Sequence, residues 1–270
     1  MSSIGFIGGG NMAEAIIKGL LLSKSIKKNE IIVSDINPER LRFITSRYGI
    51  KSAANNKDVV INSDLVILCV KPGVFATVLS DIKKLSISNK LFISIAAGIN
   101  TSFIKKTVGK NIKIARVMPN TPSLVLEGAS AVYFEEGFLE NEKMSVLSML
   151  KSVGNVYEIE KEDLMDAVTG LSGSGPAFVS IFIEALSDGG VKMGLTRDLS
   201  NKLAVQTVYG TSKMILETAR HPSEIKDMVS SPGGTTINGV HKLEEKGFRD
   251  AVISAVEAAA LRSKELSKEE

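Results

Sequence analysis

The sequence predicts an α/β fold: an N-terminal doubly wound parallel sheet followed by an all-helical C-terminal domain. Three observations predict it. Short runs rich in Ile and Val alternate with helical patterns as far as about residue 160. A glycine turn, Gly8-Gly9-Gly10, joins the first of these runs to the first helical pattern. Beyond residue 163 the β-rich runs cease and long helical patterns take over.

The expected strands are Ile4–Ile7, Ile31–Ser34, 65–70, 91–95 and 112–117. Several are apolar at consecutive positions, which suits strands buried on both faces of a parallel sheet. Helical spacing predicts helices over 12–22, Pro38–Tyr48, 74–85 and 101–107. Two further strands, 131–134 and 156–159, flank a helix over 140–153. The later helices are expected over 176–193, 198–217, 236–245 and 249–266, with a shorter one over 223–229. These place a domain boundary near 163, giving a dinucleotide-binding domain over 1–162 and a helical domain over 163–270. The charged tail 263–270 is expected to fray.

A chain of 270 residues, at about 150 per domain, favours two domains. Lys and Arg exceed Asp and Glu by only 33 to 30, with no basic stripe, which argues against dedicated nucleic-acid binding. The single cysteine, Cys69, closes the route of an intrachain disulfide and reads as an inert thiol in an apolar run. With two histidines and one cysteine, no His/Cys metal site is expected. No apolar stretch approaches the roughly 20 residues that span a bilayer. Met1-Ser2-Ser3 leads straight into a strand pattern without the features of a signal peptide. A cytoplasmic protein, bound neither to nucleic acid nor to membrane, is the expectation.

Gly8-Gly9-Gly10-Asn11-Met12-Ala13 is G-x-G-x-x-A between a strand and a helix, the setting that makes this motif a dinucleotide site. Gly8 permits the tight turn, Gly10 lets the backbone approach a pyrophosphate, and Ala13 lets the helix lie close on the sheet. The helix start offers unpaired N–H groups to the phosphates. Such a domain is Rossmann-type. The second strand ends at Ser34-Asp35, with Arg40 nearby. An acid here takes the ribose 2′-hydroxyl of NAD, whereas an arginine accommodates the 2′-phosphate of NADP. Both are present, and Arg40 reads equally well as a solvated helix residue, so NADH and NADPH stay open.

Loops after later strands, Val70-Lys71-Pro72-Gly73 and Ala96-Ala97-Gly98, should open at the carboxyl edge of the sheet, where such folds bind ligands. Lys71 reads either as a general acid or as a cofactor contact. Asn120, in Met118-Pro119-Asn120-Thr121-Pro122, offers an amide to a nicotinamide or a substrate. In the helical half, Ser230-Ser231-Pro232-Gly233-Gly234-Thr235-Thr236 precedes a helix and leaves its N–H groups uncovered by side chains. That makes an anion site for a small carboxylate, with the Ser231 and Thr236 hydroxyls as additional donors. The small-residue segment 169–176 either packs against the cofactor end of the first domain or caps a buried helix.

The segment "SSPGGTTINGVHKLEE" over 230–245 resembles the diagnostic stretch of the pyrroline-5-carboxylate reductases. "GFIGGGNM", "CVKPG", "SIAAG", "MPNTP" and "TGLSGSGPAF" occur in the order and spacing of that family, so the similarity covers essentially the whole chain. The resemblance implies reduction of L-1-pyrroline-5-carboxylate to L-proline with NADPH or NADH, the last step of proline biosynthesis. It also implies a helical domain that dimerises by interlocking with its partner, with dimers joining into a larger ring such as a decamer. By the same resemblance, the dinucleotide lies along Ile7, Gly8, Gly9, Gly10, Asn11, Met12, Ser34, Asn56, Cys69, Val70, Lys71, Pro72, Ile95, Ala96 and Ala97. The substrate carboxylate falls at Ser231, Gly234, Thr235 and Thr236, with the helix start contributed across the dimer.

A protonated cyclic imine is already a strong hydride acceptor, so placement is the main task and no His/Asp pair is needed. Thr236 is the candidate to hydrogen-bond the ring nitrogen, as a polar orienter. Two rivals share the layout. A β-hydroxyacid dehydrogenase would place a catalytic lysine early in the helical domain, but Lys192 in "DGGVKMG" lacks the surrounding pattern. A dinucleotide-sensing regulator would leave the 231–236 anion site without a use.

Overall fold

The computed structural model describes residues 3–85, 87, 90–109 and 112–267. Met1, Ser2 and the end of the expected fraying tail, 268–270, lie outside the described residues. The chain forms two compact units, Met1–Ser174 with Ala258–Glu270, and Gly175–Glu257. These compact units meet at Ser174/Gly175, and the last helical turns belong to the first unit.

In the first unit eight strands form one sheet: β1 (Ile4–Ile7), β2 (Ile31–Ser34), β3 (Lys51–Ser52), β4 (Leu65–Leu68), β5 (Leu91–Ser94), β6 (Lys113–Met118), β7 (Gly128–Phe134) and β8 (Gly154–Glu158). Their order is β3-β2-β1-β4-β5-β6-β7-β8. The first six follow the order of doubly wound dinucleotide folds, and among the described residues only the β6–β7 pair is antiparallel. The helices of this unit are α1 (Asn11–Leu22), α2 (Pro38–Tyr48), α3 (Asn56–Ile61), α4 (Phe75–Ile82), α5 (Thr101–Val108), α6 (Glu140–Lys151) and α7 (Met165–Val168).

Consecutive apolar residues serve opposite faces of the sheet. Phe6, Val33 and Ile67 join Ile16, Ile17 and Leu20 of α1 in one core. Ile7, Ile32 and Leu68 join Val59, Phe75 and Leu79 in the other. Burial on both sides is why these strands read as unbroken Ile/Val runs. Helix ends follow their capping residues. Asn37 accepts from Glu39 N at 2.9 Å and opens α2 ahead of Pro38, and Gly49 closes it at φ +65°.

The structure corrects several boundaries. The strand expected over 65–70 ends at Leu68, where its register with β1 ends at Ile7, and Cys69 and Val70 turn into a loop. The helix expected over 74–85 is preceded by a 3₁₀ turn, Pro72–Val74, and stops at Ile82. The sequence does not announce β3 or α3. The first is an exposed two-residue edge without apolar alternation, and the second has only six residues, started by the Asn55 side chain accepting from Asp58 N at 3.0 Å. The small-residue segment 169–176 begins as a π-helical turn, Thr169–Gly173, with Ser174 N bonded to Thr169 O at 2.9 Å, and leads into a helix from Gly175.

The second unit contains α8 (Gly175–Lys192), α9 (Arg197–Thr218), α10 (Pro222–Met228), α11 (Thr235–Glu245) and the start of α12 (Phe248–Leu266). Gly190 lets α8 approach α9, since a Cβ there would lie 2.7 Å from Ser200 Oγ. Among the described residues of this unit only Ala204 and Ile225 are buried apolar side chains. Val179, Ile181, Leu186, Leu203, Val205 and Ile253 are exposed in the single chain. Among all described residues, no helix is long and apolar enough to cross a membrane.

Candidate functional site

The glycine loop sits at the carboxyl ends of β1 and β4, where the strand order reverses and doubly wound folds bind ligands. Gly8 has φ +96°, and a Cβ on it would lie 2.5 Å from the Cys69 carbonyl oxygen. No other residue fits this crossing. Gly10 differs. Its backbone is extended, and a Cβ there would meet nothing within 4 Å. The space before α1 is therefore open, and no side chain caps the helix start. An exposed loop glycine facing open space at an uncapped helix N-terminus fits a diphosphate. Asn11 is exposed and Met12 half-buried at this helix start. Ala13 is fully buried in the core beneath it.

A cavity of about 250 Å³ adjoins the loop, lined by Ile7, Gly8, Ser34, Asp35, Ile36, Asn56, Val70, Val74, Thr77, Val78 and Asp81. The Ser34 hydroxyl donates to Asn56 Oδ1 at 2.8 Å, joining β2 to α3. Ile36 stands fully exposed at this cavity, an apolar wall for a flat base. Such a polar-and-apolar lining beside a phosphate cradle fits an adenosine. A second cavity, about 280 Å³ among Ile4, Leu20, Met144 and Met149, has no charged residue in its lining.

The loop is held by contacts that local sequence does not reveal. Gly9 N donates to Asp35 Oδ2 at 2.7 Å, and Asn37 N to Asp35 Oδ1 at 2.8 Å. The Arg40 guanidinium donates to the carbonyl oxygens of Gly9 and Gly10 and to Glu14 at 2.6 Å, and lies over the Phe43 ring. Arg40 is thus no solvated helix residue but a clamp on the glycine loop. Glu14 also accepts from the Tyr48 hydroxyl at 2.9 Å. Neither Glu14 nor Tyr48 was singled out by the sequence, because nothing in their spacing marks a contact across such separations.

Burial alone would raise the Glu14 carboxyl, but hydrogen bonds from Arg40 and Tyr48 and the charges of Arg40 and Arg47 outweigh it, so its pKa is lowered. A depressed carboxyl stabilises the fold above its unfolded pKa of about 4.3 and loses that contribution as pH falls through the folded value. Wild-type Tm is therefore expected to fall more steeply than that of Glu14→Gln as the pH drops from about 5 to about 3. Parallel curves would remove Glu14 from the support of the loop.

The remaining first-unit residues follow the same edge. Cys69 is half-buried, and burial pushes its thiol pKa up. Lys71 is exposed and Pro72 opens the 3₁₀ turn. Ile95 N bonds to Leu68 O at 3.4 Å, Ala96 is buried, and Ala97 is half-buried. Glu162 accepts from Thr101 N at 2.8 Å and Thr101 Oγ1 at 2.7 Å and pairs with the buried Arg116 at 3.3 Å, anchoring the segment after this loop. The amide of Asn120 is partly engaged within its own chain. Its Nδ2 donates to Ser172 O at 3.2 Å and its Oδ1 accepts from Ala129 N at 2.9 Å, which makes it a buried strut.

In the second unit, Ser231, Pro232, Gly233 and Gly234 form a turn closed by Gly234 N to Ser231 O at 3.0 Å. Proline second and Gly233 third at φ +65° is type II turn chemistry. Gly234 then starts α11 with no side-chain cap, leaving Thr235 exposed and Thr236 half-buried on the first turn. The turn brings together the four residues expected at the carboxylate. Lys192 ends α8 and is exposed. Among the described residues no group of three or more His, Cys, Asp or Glu is gathered to hold a metal.

Residues 162–266 match the model described as pyrroline-5-carboxylate reductase dimerisation, and 3–98 that of NADP oxidoreductase, coenzyme F420-dependent. The chain is 43% identical to a pyrroline-5-carboxylate reductase of Methanosarcina acetivorans over 98% of both chains. The chain belongs to the pyrroline-5-carboxylate reductase family. A family structure from Coxiella burnetii superposes with a TM-score of 0.92 at 38% identity, covering 98% of each chain. One from Plasmodium falciparum, solved with NADP bound, gives 0.88 at 36%, again over 98% of each. As a pyrroline-5-carboxylate reductase, the chain is an NAD(P)H-dependent oxidoreductase with a small-molecule substrate and a helical dimerisation domain.

Proposed function

We propose that this chain reduces L-1-pyrroline-5-carboxylate to L-proline by holding the dinucleotide on the glycine loop and the substrate carboxylate on the Ser231–Thr236 turn. The observation that carries the substrate assignment is the uncapped start of α11, preceded by a turn in which Gly233 faces open space and the Ser231 hydroxyl lies against Gly234. A small carboxylate is the anion such a cradle accommodates. When bound, NAD(P)H supplies the hydride to the imine carbon, and the ring nitrogen retains the proton as the C=N bond becomes a secondary amine. The Ser231 hydroxyl and the first N–H groups of α11 orient the carboxylate, and the Thr236 hydroxyl orients the ring nitrogen. With a protonated imine the chain needs no strong base; its contribution is position. Oxidation of NAD(P)H followed at 340 nm with pyrroline-5-carboxylate tests the reading. Proline as product supports it, whereas dinucleotide binding without turnover would favour a sensor.

The dimer we propose is interlocked. A unit with so few buried apolar side chains does not form a core of its own, and the exposed faces of α8, α9 and α12 supply what a second copy would cover. In such a dimer the 231–236 turn of one copy serves the dinucleotide of the other. A larger ring such as a decamer, and a cytoplasmic location, complete the proposal. Mixing Gly10→Val with Thr236→Ala chains separates shared from self-contained sites. Random pairing in a two-fold dimer should restore about a quarter of wild-type activity, because each hybrid holds one site with both halves intact. Activity no higher than the mean of the two parents would mean that each chain completes its own site.

A further inference from the structure

We propose that this chain prefers NADH to NADPH, and that Asp35 sets the preference by excluding a 2′-phosphate. The inference rests on the glycine loop being the dinucleotide site. In doubly wound folds the adenosine ribose lies beyond the end of the second strand, where an acid takes its 2′-hydroxyl. Asp35 is the first residue past β2 and lines the cavity with Ser34, Ile36 and Asn56.

Its carboxylate is fixed there. One oxygen accepts the Gly9 N–H at 2.7 Å and the other the Asn37 N–H at 2.8 Å, so it does not swing aside without breaking the loop's own support. Each carboxylate oxygen has two lone pairs, which leaves acceptor capacity for a ribose hydroxyl. A 2′-phosphate brings only acceptors and a second negative charge to this point. Among the described residues no ion pair reaches Asp35, since both its partners are neutral main-chain amides.

Arg40, the cation that would offset a phosphate, is already engaged. It donates to Gly9 O, Gly10 O and Glu14, and Glu14 is held in turn by Tyr48. Receiving a 2′-phosphate would take the guanidinium from acceptors that hold the glycine loop in shape. The same two side chains that leave the choice open in the sequence thus favour one cofactor once their partners are known.

Titrating NADH and NADPH separately into the full-length protein, by calorimetry or by the change in dihydronicotinamide fluorescence, tests this without turnover. Wild type should bind NADH at least about tenfold more tightly, since like charges set against each other at an interface are strongly disfavoured. Asp35→Ser should close most of that gap by tightening NADPH. If that variant fails to fold, Asp35→Asn, of the same shape but uncharged, should do the same. Equal or tighter NADPH binding by wild type, or an unchanged ratio in a folded Asp35 variant, overturns the proposal. Binding of neither dinucleotide removes the cofactor reading of the loop, and this inference with it.

Discussion

Gly10→Val is expected to abolish dinucleotide binding while leaving the protein folded. Gly10 has φ −65° and ψ −174°, a conformation open to any residue, and a Cβ there touches nothing within 4 Å. The valine would stand in the space before the N-terminus of α1, where the diphosphate has to approach the backbone. A neighbouring position provides the contrast. At Gly8 the positive φ and a Cβ 2.5 Å from the Cys69 carbonyl oxygen predict damage to the fold itself. Calorimetric titration, with circular dichroism as the control, checks both. Gly10→Val should keep the wild-type spectrum and melting transition and show no heat of binding. Normal dinucleotide affinity in that variant would refute the glycine-loop assignment.

Thr236→Ala should lower kcat/KM by about 10- to 150-fold. The change removes one hydrogen bond to a charged group, worth roughly 1.5–3 kcal/mol. Thr236 lies on the first turn of α11, only half-buried. Alanine is the better helix former, so the helix persists. The Gly234 N-cap and the turn closed onto Ser231 O do not involve the threonine side chain. On the proposed assignment, with the hydroxyl orienting the ring nitrogen and the main-chain cradle holding the carboxylate, the loss should fall mainly on kcat. Steady-state kinetics identical to wild type would remove Thr236 from the reaction.

Much of this molecule is legible without coordinates. Strands buried on both faces leave runs such as Ile4–Ile7 and Leu65–Leu68, whose unbroken apolar character marks them to within two residues. The glycine loop announces itself because its requirements are local: a tight crossing at Gly8, an open approach at Gly10, a small residue at Ala13. The type II turn over Ser231, Pro232, Gly233 and Gly234 is equally local. Where an assignment depended on a distant partner, residue type was not enough. Asn120 has the amide of a ligand contact, yet it also braces the chain through Ser172 and Ala129, which residue type alone does not reveal. The short elements β3 and α3 left too few residues to register a period.

By itself the sequence determined the layout, because periodicity, capping and glycine placement act over a few residues. Only the tertiary structure decided what Asp35 and Arg40 do, because that depends on β2 lying beside β1 in the register that sets Ser34 against Ile7. From there Asp35 reaches Gly9 across 26 residues and Arg40 reaches it across 31. The near absence of a core in Gly175–Glu257 is likewise tertiary. An apolar helix face looks the same in sequence whether its own chain covers it or a second copy must.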